Sequence, residues 1–190
     1  MKRETPAELK QIFRWIDAHQ DEFVKDLQRL VQQPSISAQN IGLRECASLV
    51  CEIMHEDGLP AQQFELKGGP PIVMGELQSK RNKKKLMAYA HYDVQPPEPL
   101  DKWVFPPFGG EIRDGRVWGR GATDNKSGLL AFVKAAEAWM NGIGDVPVTI
   151  KFMFEGEEEI GSPHLGPFVA ENPEMFRCDA MHCLDGGMNS

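Results

Sequence analysis

Apolar residues near the start of the chain recur at helical spacing, and after about residue 58 the pattern changes to short runs bounded by turn residues. From Ala7 to Gln32 the side chains Leu9, Ile12, Phe13, Ile16, Phe23, Leu27 and Leu30 return every three or four positions, as one face of a helix does. The segment reads as one helix, or as two broken near His19-Gln20-Asp21, and Pro34 stops it. A second helix is expected over Gly42 to Asp57, with Gly58 as its C-terminal cap. Beyond it, Pro71 to Leu77 and Lys85 to Ala90 are apolar runs of strand length. Glu111 to Trp118 alternates around Asp114-Gly115, a hairpin signal. Asn125 to Met140 is amphipathic, with Leu129, Leu130, Phe132, Val133, Ala136 and Trp139 on one side. Pro147 to Phe154 is a β-branched and aromatic strand. Ser162 to Ala170 is expected to be helical with Pro163 in its first turn, and Cys178 to Leu184 is a last short strand. Strands alternating with helices indicate an α/β layered domain.

Composition narrows the function classes. With 41% hydrophobic and 26% charged residues over 190 positions, the chain can bury a sizeable core. Its net charge of -7 disfavours a nucleic-acid-binding surface, and the basic run Lys80 to Lys85 reads as a solvated loop. No apolar run approaches the roughly 20 residues that span a bilayer, and the start lacks a signal-peptide core. Cys46, Cys51, Cys178 and Cys183 show no pairing pattern, so free thiols in a reducing, cytoplasmic setting are expected.

The chemistry-bearing residues collect after strands. Leu86 to Ala90 runs into His91-Tyr92-Asp93, and the hairpin leads to Asp124 just ahead of a helix. Val148 to Phe154 runs into Glu157-Glu158-Glu159, and the last strand runs into Asp185. Ligands of open α/β sheets gather beyond the carboxyl ends of strands. One imidazole and several carboxylates there suit a hard or borderline divalent cation. Each residue also has a plain structural reading: a core histidine, a helix N-cap at Asp124, a solvated acidic face, a turn at Asp185. Only the joint occurrence at the ends of expected elements favours a metal.

The stretch His91-Tyr92-Asp93-Val94-Gln95-Pro96, with Trp103, Pro107-Phe108, Asp114-Gly115, Trp118-Gly119-Arg120-Gly121, Asp124, Lys126, Gly128 and Glu158-Glu159-Ile160-Gly161-Ser162, resembles the dinuclear zinc metallopeptidases. That family includes carnosinase-like dipeptidases, glutamate carboxypeptidase, acetylornithine deacetylase and aminoacylase. The Val-Gln-Pro and Trp-x-x-x-Pro-Phe segments are most similar to the dipeptidase branch. The resemblance covers about Leu9 to Asp185 and implies a three-layer domain with a central, mostly parallel mixed sheet flanked by helices. It implies hydrolysis of an amide bond in dipeptides or N-acyl amino acids through a metal-activated bridging water. Two divalent ions are implied, zinc first, with manganese or cobalt as alternatives.

Carried over by position, His91 and Asp185 would bind one metal, Asp124 would bridge both, and Glu159 would bind the second. Glu158 would be the general base, and Asp93 would orient the His91 ring. The run Glu157-Glu158-Glu159 leaves the register open, and the trailing Gly161-Ser162 selects Glu158 and Glu159. The resemblance also implies a cis peptide at Asp124-Asn125.

The chain departs from the family after Asp185. An inserted lid or dimerisation domain and the rest of the catalytic domain, with a final metal-binding histidine, have no counterpart here. His164 and His182 are expected in surface or packing roles. Residues 1–190 are therefore expected to be an incomplete, N-terminal part of the catalytic domain, impaired in catalysis alone, with a homodimer allowed for the full-length protein. Expected partners are a small peptide or acyl-amino-acid substrate, with no nucleic acid and no membrane. The competing reading is a metal-binding or interaction module without turnover. Nucleotide binding, suggested by Gly119-Arg120-Gly121 and Lys126-Ser127, fails on spacing because Asp124 and Asn125 stand where glycines are required.

Overall fold

The computed structural model describes residues 5–185. The first helical segment is two helices, α1 (Ala7–Ala18) and α2 (Gln20–Gln32). The break falls at His19, whose ring stacks on Trp15 with centroids 3.9 Å apart and whose Nδ1 lies 2.7 Å from the Trp15 carbonyl. Helix α3 (Leu43–Glu56) begins after Gly42. There φ is +68°, and a Cβ would drive into the Pro34 carbonyl, so only glycine fits.

The remaining elements are β1 (Gln62–Phe64), β2 (Ile72–Leu77), β3 (Lys85–His91), the hairpin β4 (Glu111–Arg113) and β5 (Arg116–Trp118), α4 (Lys126–Ile143), β6 (Thr149–Glu155), α5 (Leu165–Glu171) and β7 (Ala180–Cys183). Strand β1 has no sequence signal because three residues are too few to show a period. Helix α5 starts at Leu165, three residues later than expected. Pro163 precedes it, and Pro167, not Pro163, occupies the first turn, where a missing N–H breaks no helical bond.

The central sheet has the order β1-β2-β6-β3-β7. Strands β3, β6 and β7 are parallel, β2 runs against β6, and β1 runs against β2, so four of the five strands point one way. Alternation along the strands feeds two cores. Ala88, Ala90, Phe152 and Phe154 face α2, α3 and α4, meeting Leu30, Val50, Ile53, Leu129 and Val133. Met74, Met87 and Met153 face the other way and are covered by Leu165 and Phe168 of α5 and by Met175 and Phe176. The result is three layers. Each fully buried large side chain contributes about 1.5–3 kcal/mol to holding them together. Because β3, β6 and β7 run in parallel, their carboxyl ends open onto the same edge.

Candidate metal centre

His91 is the last residue of β3, level with Glu155 at the end of β6, and its side chain is fully buried. Its Nδ1 donates to the Asp93 carbonyl at 3.0 Å and lies 3.2 Å from the Asp93 carboxylate. With Nδ1 donating to that carbonyl, Nε2 is the nitrogen left to bind a metal once its own proton is released. Nε2 faces Asp124 at 3.1 Å, Glu158 at 3.7 Å and Asp185 at 3.9 Å.

Asp124 precedes α4 without capping it: the N-cap is Asn125, and no side chain caps that helix end. The Asp124 carboxylate is more than half exposed and is turned to His91 instead. The Asp124-Asn125 peptide is cis, as the resemblance implies. Glu158 and Glu159 open a short 3-10 turn (Glu158–Ile160) after β6. Their backbone N–H groups both donate to the Asp93 carboxylate, at 3.1 Å each. Asp93 thus fixes the turn that carries two of the carboxylates as well as lying against the His91 ring. Glu157 is turned away, buried, with His164 Nδ1 donating to its carboxylate at 2.9 Å. The three glutamates are therefore physically distinct even though the sequence makes them look alike.

Ligand atoms of His91, Asp124 and Glu159 lie within 4.8 Å of one another, and so do those of His91, Glu158 and Asp185. All six residues singled out in the sequence meet at this edge of the sheet. The residues after Asp185, where the alternative reading puts a turn, lie outside the described residues. His164 and His182 are elsewhere: His164 on Glu157, and His182 edge-on to Phe132 at 5.7 Å between centroids.

The electrostatics follow from one imidazole among many carboxylates. Burial pulls the His91 pKa down, but the Asp93 hydrogen bond and the charges of Asp93, Glu158 and Asp124 outweigh it and push it up to about 9. Burial, then the charges of Asp185 and Glu159, hold the Glu158 carboxyl above the usual carboxylate range, against the pull of His91. Excess negative charge around a nitrogen donor fits a divalent cation.

Sequence reasoning missed several supporting groups. Gln95 Nε2 donates to the Glu159 carboxylate at 2.9 Å and to its carbonyl at 3.0 Å. Tyr89 and Ser162 hydroxyls donate to the buried Glu155 at 2.6 and 2.9 Å. Gly156 lies against the Tyr92 ring, leaving no room for a Cβ there. Gln95 and Ser162 stand inside the quoted motifs, so position was visible and partner was not.

A three-layer α/β domain thus gathers this donor set at the carboxyl edge of its sheet. The sequence pattern of peptidase family M20/M25/M40 matches residues 87–190, and the chain belongs to that family. It is 35% identical over 186 residues to the Beta-Ala-His dipeptidase of Homo sapiens, covering 90% of this chain and 37% of that protein. To the Cys-Gly metallodipeptidase of Schizosaccharomyces pombe it is 35% identical over 182 residues, covering 88% and 38%. The crystal structure of human carnosine dipeptidase 1 superposes with a TM-score of 0.86 at 33% identity, covering 95% of this chain and 42% of that one. An M20 family metallo-carboxypeptidase from Sulfolobus solfataricus gives 0.81 at 33% identity, covering 88% and 38%. The chain thus spans well under half the length of these relatives.

Proposed function

We propose that this chain carries the metal-holding and proton-handling groups of a hydrolase that cleaves the amide bond of dipeptides or N-acyl amino acids. The observation that carries the reading is the convergence of His91, Asp124, Glu158, Glu159 and Asp185 at one edge of the sheet. The dipeptidase names of two relatives support the substrate class. One borderline nitrogen and several hard oxygens fit zinc, with manganese and cobalt as alternatives.

His91, Asp124, Glu159 and Asp185 would hold two divalent ions, which when bound supply Lewis acidity and a water acidified towards neutrality. Glu158 accepts the proton of the attacking water and returns it to the departing amine. Asp93 steadies the ring of His91 and the turn bearing Glu158, so the base need not reorganise during attack. The four cysteines Cys46, Cys51, Cys178 and Cys183 are free among the described residues, and a reducing, cytoplasmic setting is part of this reading. Among the described residues no helix is long and apolar enough to cross a membrane.

The test is a panel of dipeptides and N-acyl amino acids offered to the full-length protein with zinc or manganese. Glu158→Ala should lower kcat by about 10²–10⁴-fold while elemental analysis finds the metal content unchanged. A normal kcat in that variant removes Glu158 as the base. Metal binding without hydrolysis of any panel member selects the non-catalytic module instead.

A further inference from the structure

We infer that Asn125 is a positioning residue that sets Asp185 against Asp124, so that the two carboxylates meet His91 from separate segments of the chain. Asn125 stands at the N-cap of α4, where an asparagine ordinarily accepts a backbone N–H of the first turn. Here it makes no such bond. The side chain is fully buried, and its Nδ2 donates at 2.8 Å to the carbonyl of Leu184, the residue immediately before Asp185. Its Oδ1 is buried without a hydrogen-bond partner. A helix start has given up its cap, and a buried acceptor is left bare, both normally unfavourable. What this arrangement provides is a bond between the segment carrying Asp124 and the segment carrying Asp185.

Gly128, in the first turn of α4, makes the contact possible. A Cβ there would drive into both Asn125 Oδ1 and the Leu184 carbonyl oxygen. Asp185 lies two residues past the end of β7, beyond the register that fixes that strand against β3. The Asn125 bond therefore restrains the one candidate ligand that follows a peripheral strand.

This inference rests on the assignment of Asp124 and Asp185 as ligands. The experiment is a zinc titration of the full-length protein against a chromophoric chelator, for the wild type, Asn125→Ala, Gly128→Ala, Asp185→Ala and the double variant Asn125→Ala/Asp185→Ala. Asn125→Ala should weaken one of two zinc sites by about tenfold, the scale of losing a group that orients a ligand, and leave the other within about twofold. Gly128→Ala, which keeps every polar group and only forces the contact open, should weaken the same site. In the Asp185→Ala background Asn125→Ala should add nothing, since coupled residues act as a unit. A merely structural asparagine would lower both sites together and add its effect to that of Asp185→Ala, and either result overturns the inference. Unchanged zinc binding in both single variants overturns it as well. A wild-type protein that binds no divalent ion overturns the ligand assignment and the inference with it.

Discussion

At the junction of three helices, Lys134 of α4 places its ammonium 2.7 Å from Asp26 on α2, 2.6 Å from Asp57 at the end of α3 and 3.2 Å from Glu137. Arg29 pairs with the same Asp26 at 2.9 Å. At the carboxyl end of β3, His91 faces Asp124, Glu158 and Asp185 at 3.1 to 3.9 Å, with Glu159 close by. Both clusters set several acidic side chains around a nitrogen base. In the first, the chain supplies a permanent cation at the centre, and the carboxylates are spent on it. In the second, the base is an imidazole, whose proton the surrounding carboxylates hold up to about pH 9 in the metal-free protein and which can give that proton up at Nε2 in exchange for a metal ion. A cation fixed on a side chain makes the first cluster a staple; a proton that a metal can replace fits the second to the binding role proposed above.

The largest effect expected from this contrast is in the helical cluster. Lys134→Met keeps the length of the side chain but leaves Asp26, Asp57 and Glu137 without their central partner. Breaking one side of a buried ionic group costs about 3–5 kcal/mol. Urea unfolding of the metal-free protein should show a fall of that size, and a loss below about 1 kcal/mol would mean Lys134 is not what neutralises the acids.

A pH experiment sharpens the same point. Burial pulls the Lys134 ammonium down, but its bonds to Asp26 and Asp57 outweigh burial and raise its pKa above the ordinary 10.5. A folded-state pKa above the unfolded one means protonation stabilises the fold. That contribution is complete below 10.5 and is lost as pH rises through the raised value. The gap in urea midpoint between wild type and Lys134→Met should therefore narrow between pH 9 and strongly alkaline conditions. A constant gap would show that the lysine acts through packing of its stem rather than its charge.

The fold was readable from period because helices and strands here bury their apolar faces at their ordinary spacings. Phe152 and Phe154 alternate with Met153 in β6, and Leu129, Leu130 and Val133 repeat along α4. The six candidate site residues stood out by placement after strands and by their motif. What stayed hidden was pairwise. No pattern in Glu157-Glu158-Glu159 says that the first is buried on His164 while the next two hang from the Asp93 carboxylate. Nor does an asparagine beside Asp124 disclose that it reaches Leu184, about sixty positions away. Periodicity reports which face a residue occupies; partners across the fold depend on tertiary contacts that no local window contains. Pro163 is the opposite case: two prolines stand four residues apart, and the helix starts at Leu165, past the first and with the second in its opening turn.

The smallest expected effect has the opposite sign and bears hardest on the comparison. If the His91 cluster is a site rather than a staple, the metal-free protein holds unfavourable charge there. Glu158 illustrates it, because burial and the charges of Asp185 and Glu159 raise its pKa. A carboxyl raised on folding contributes its full stability below its unfolded pKa, and that contribution is lost as pH rises through the folded value. At pH 8 the ionised Glu158 therefore works against the fold. Glu158→Gln removes that charge with little change of shape. The metal-free variant should unfold at the same or a higher urea concentration than the wild type, by up to about 1 kcal/mol, as substitutions that relieve functional strain often do. Burial raises the Asp57 carboxyl too, but unlike Glu158 it holds a lysine ammonium at 2.6 and 2.7 Å, so Asp57→Asn should instead lose about 1.5–3 kcal/mol, the worth of a hydrogen bond to a charged partner. Zinc should stabilise the wild type by about 2.7 kcal/mol when present at a hundred times its Kd. If Glu158→Gln destabilised the metal-free protein as much as Asp57→Asn does, the carboxylates at β3 would be holding the fold together, and the distinction between the two clusters would collapse.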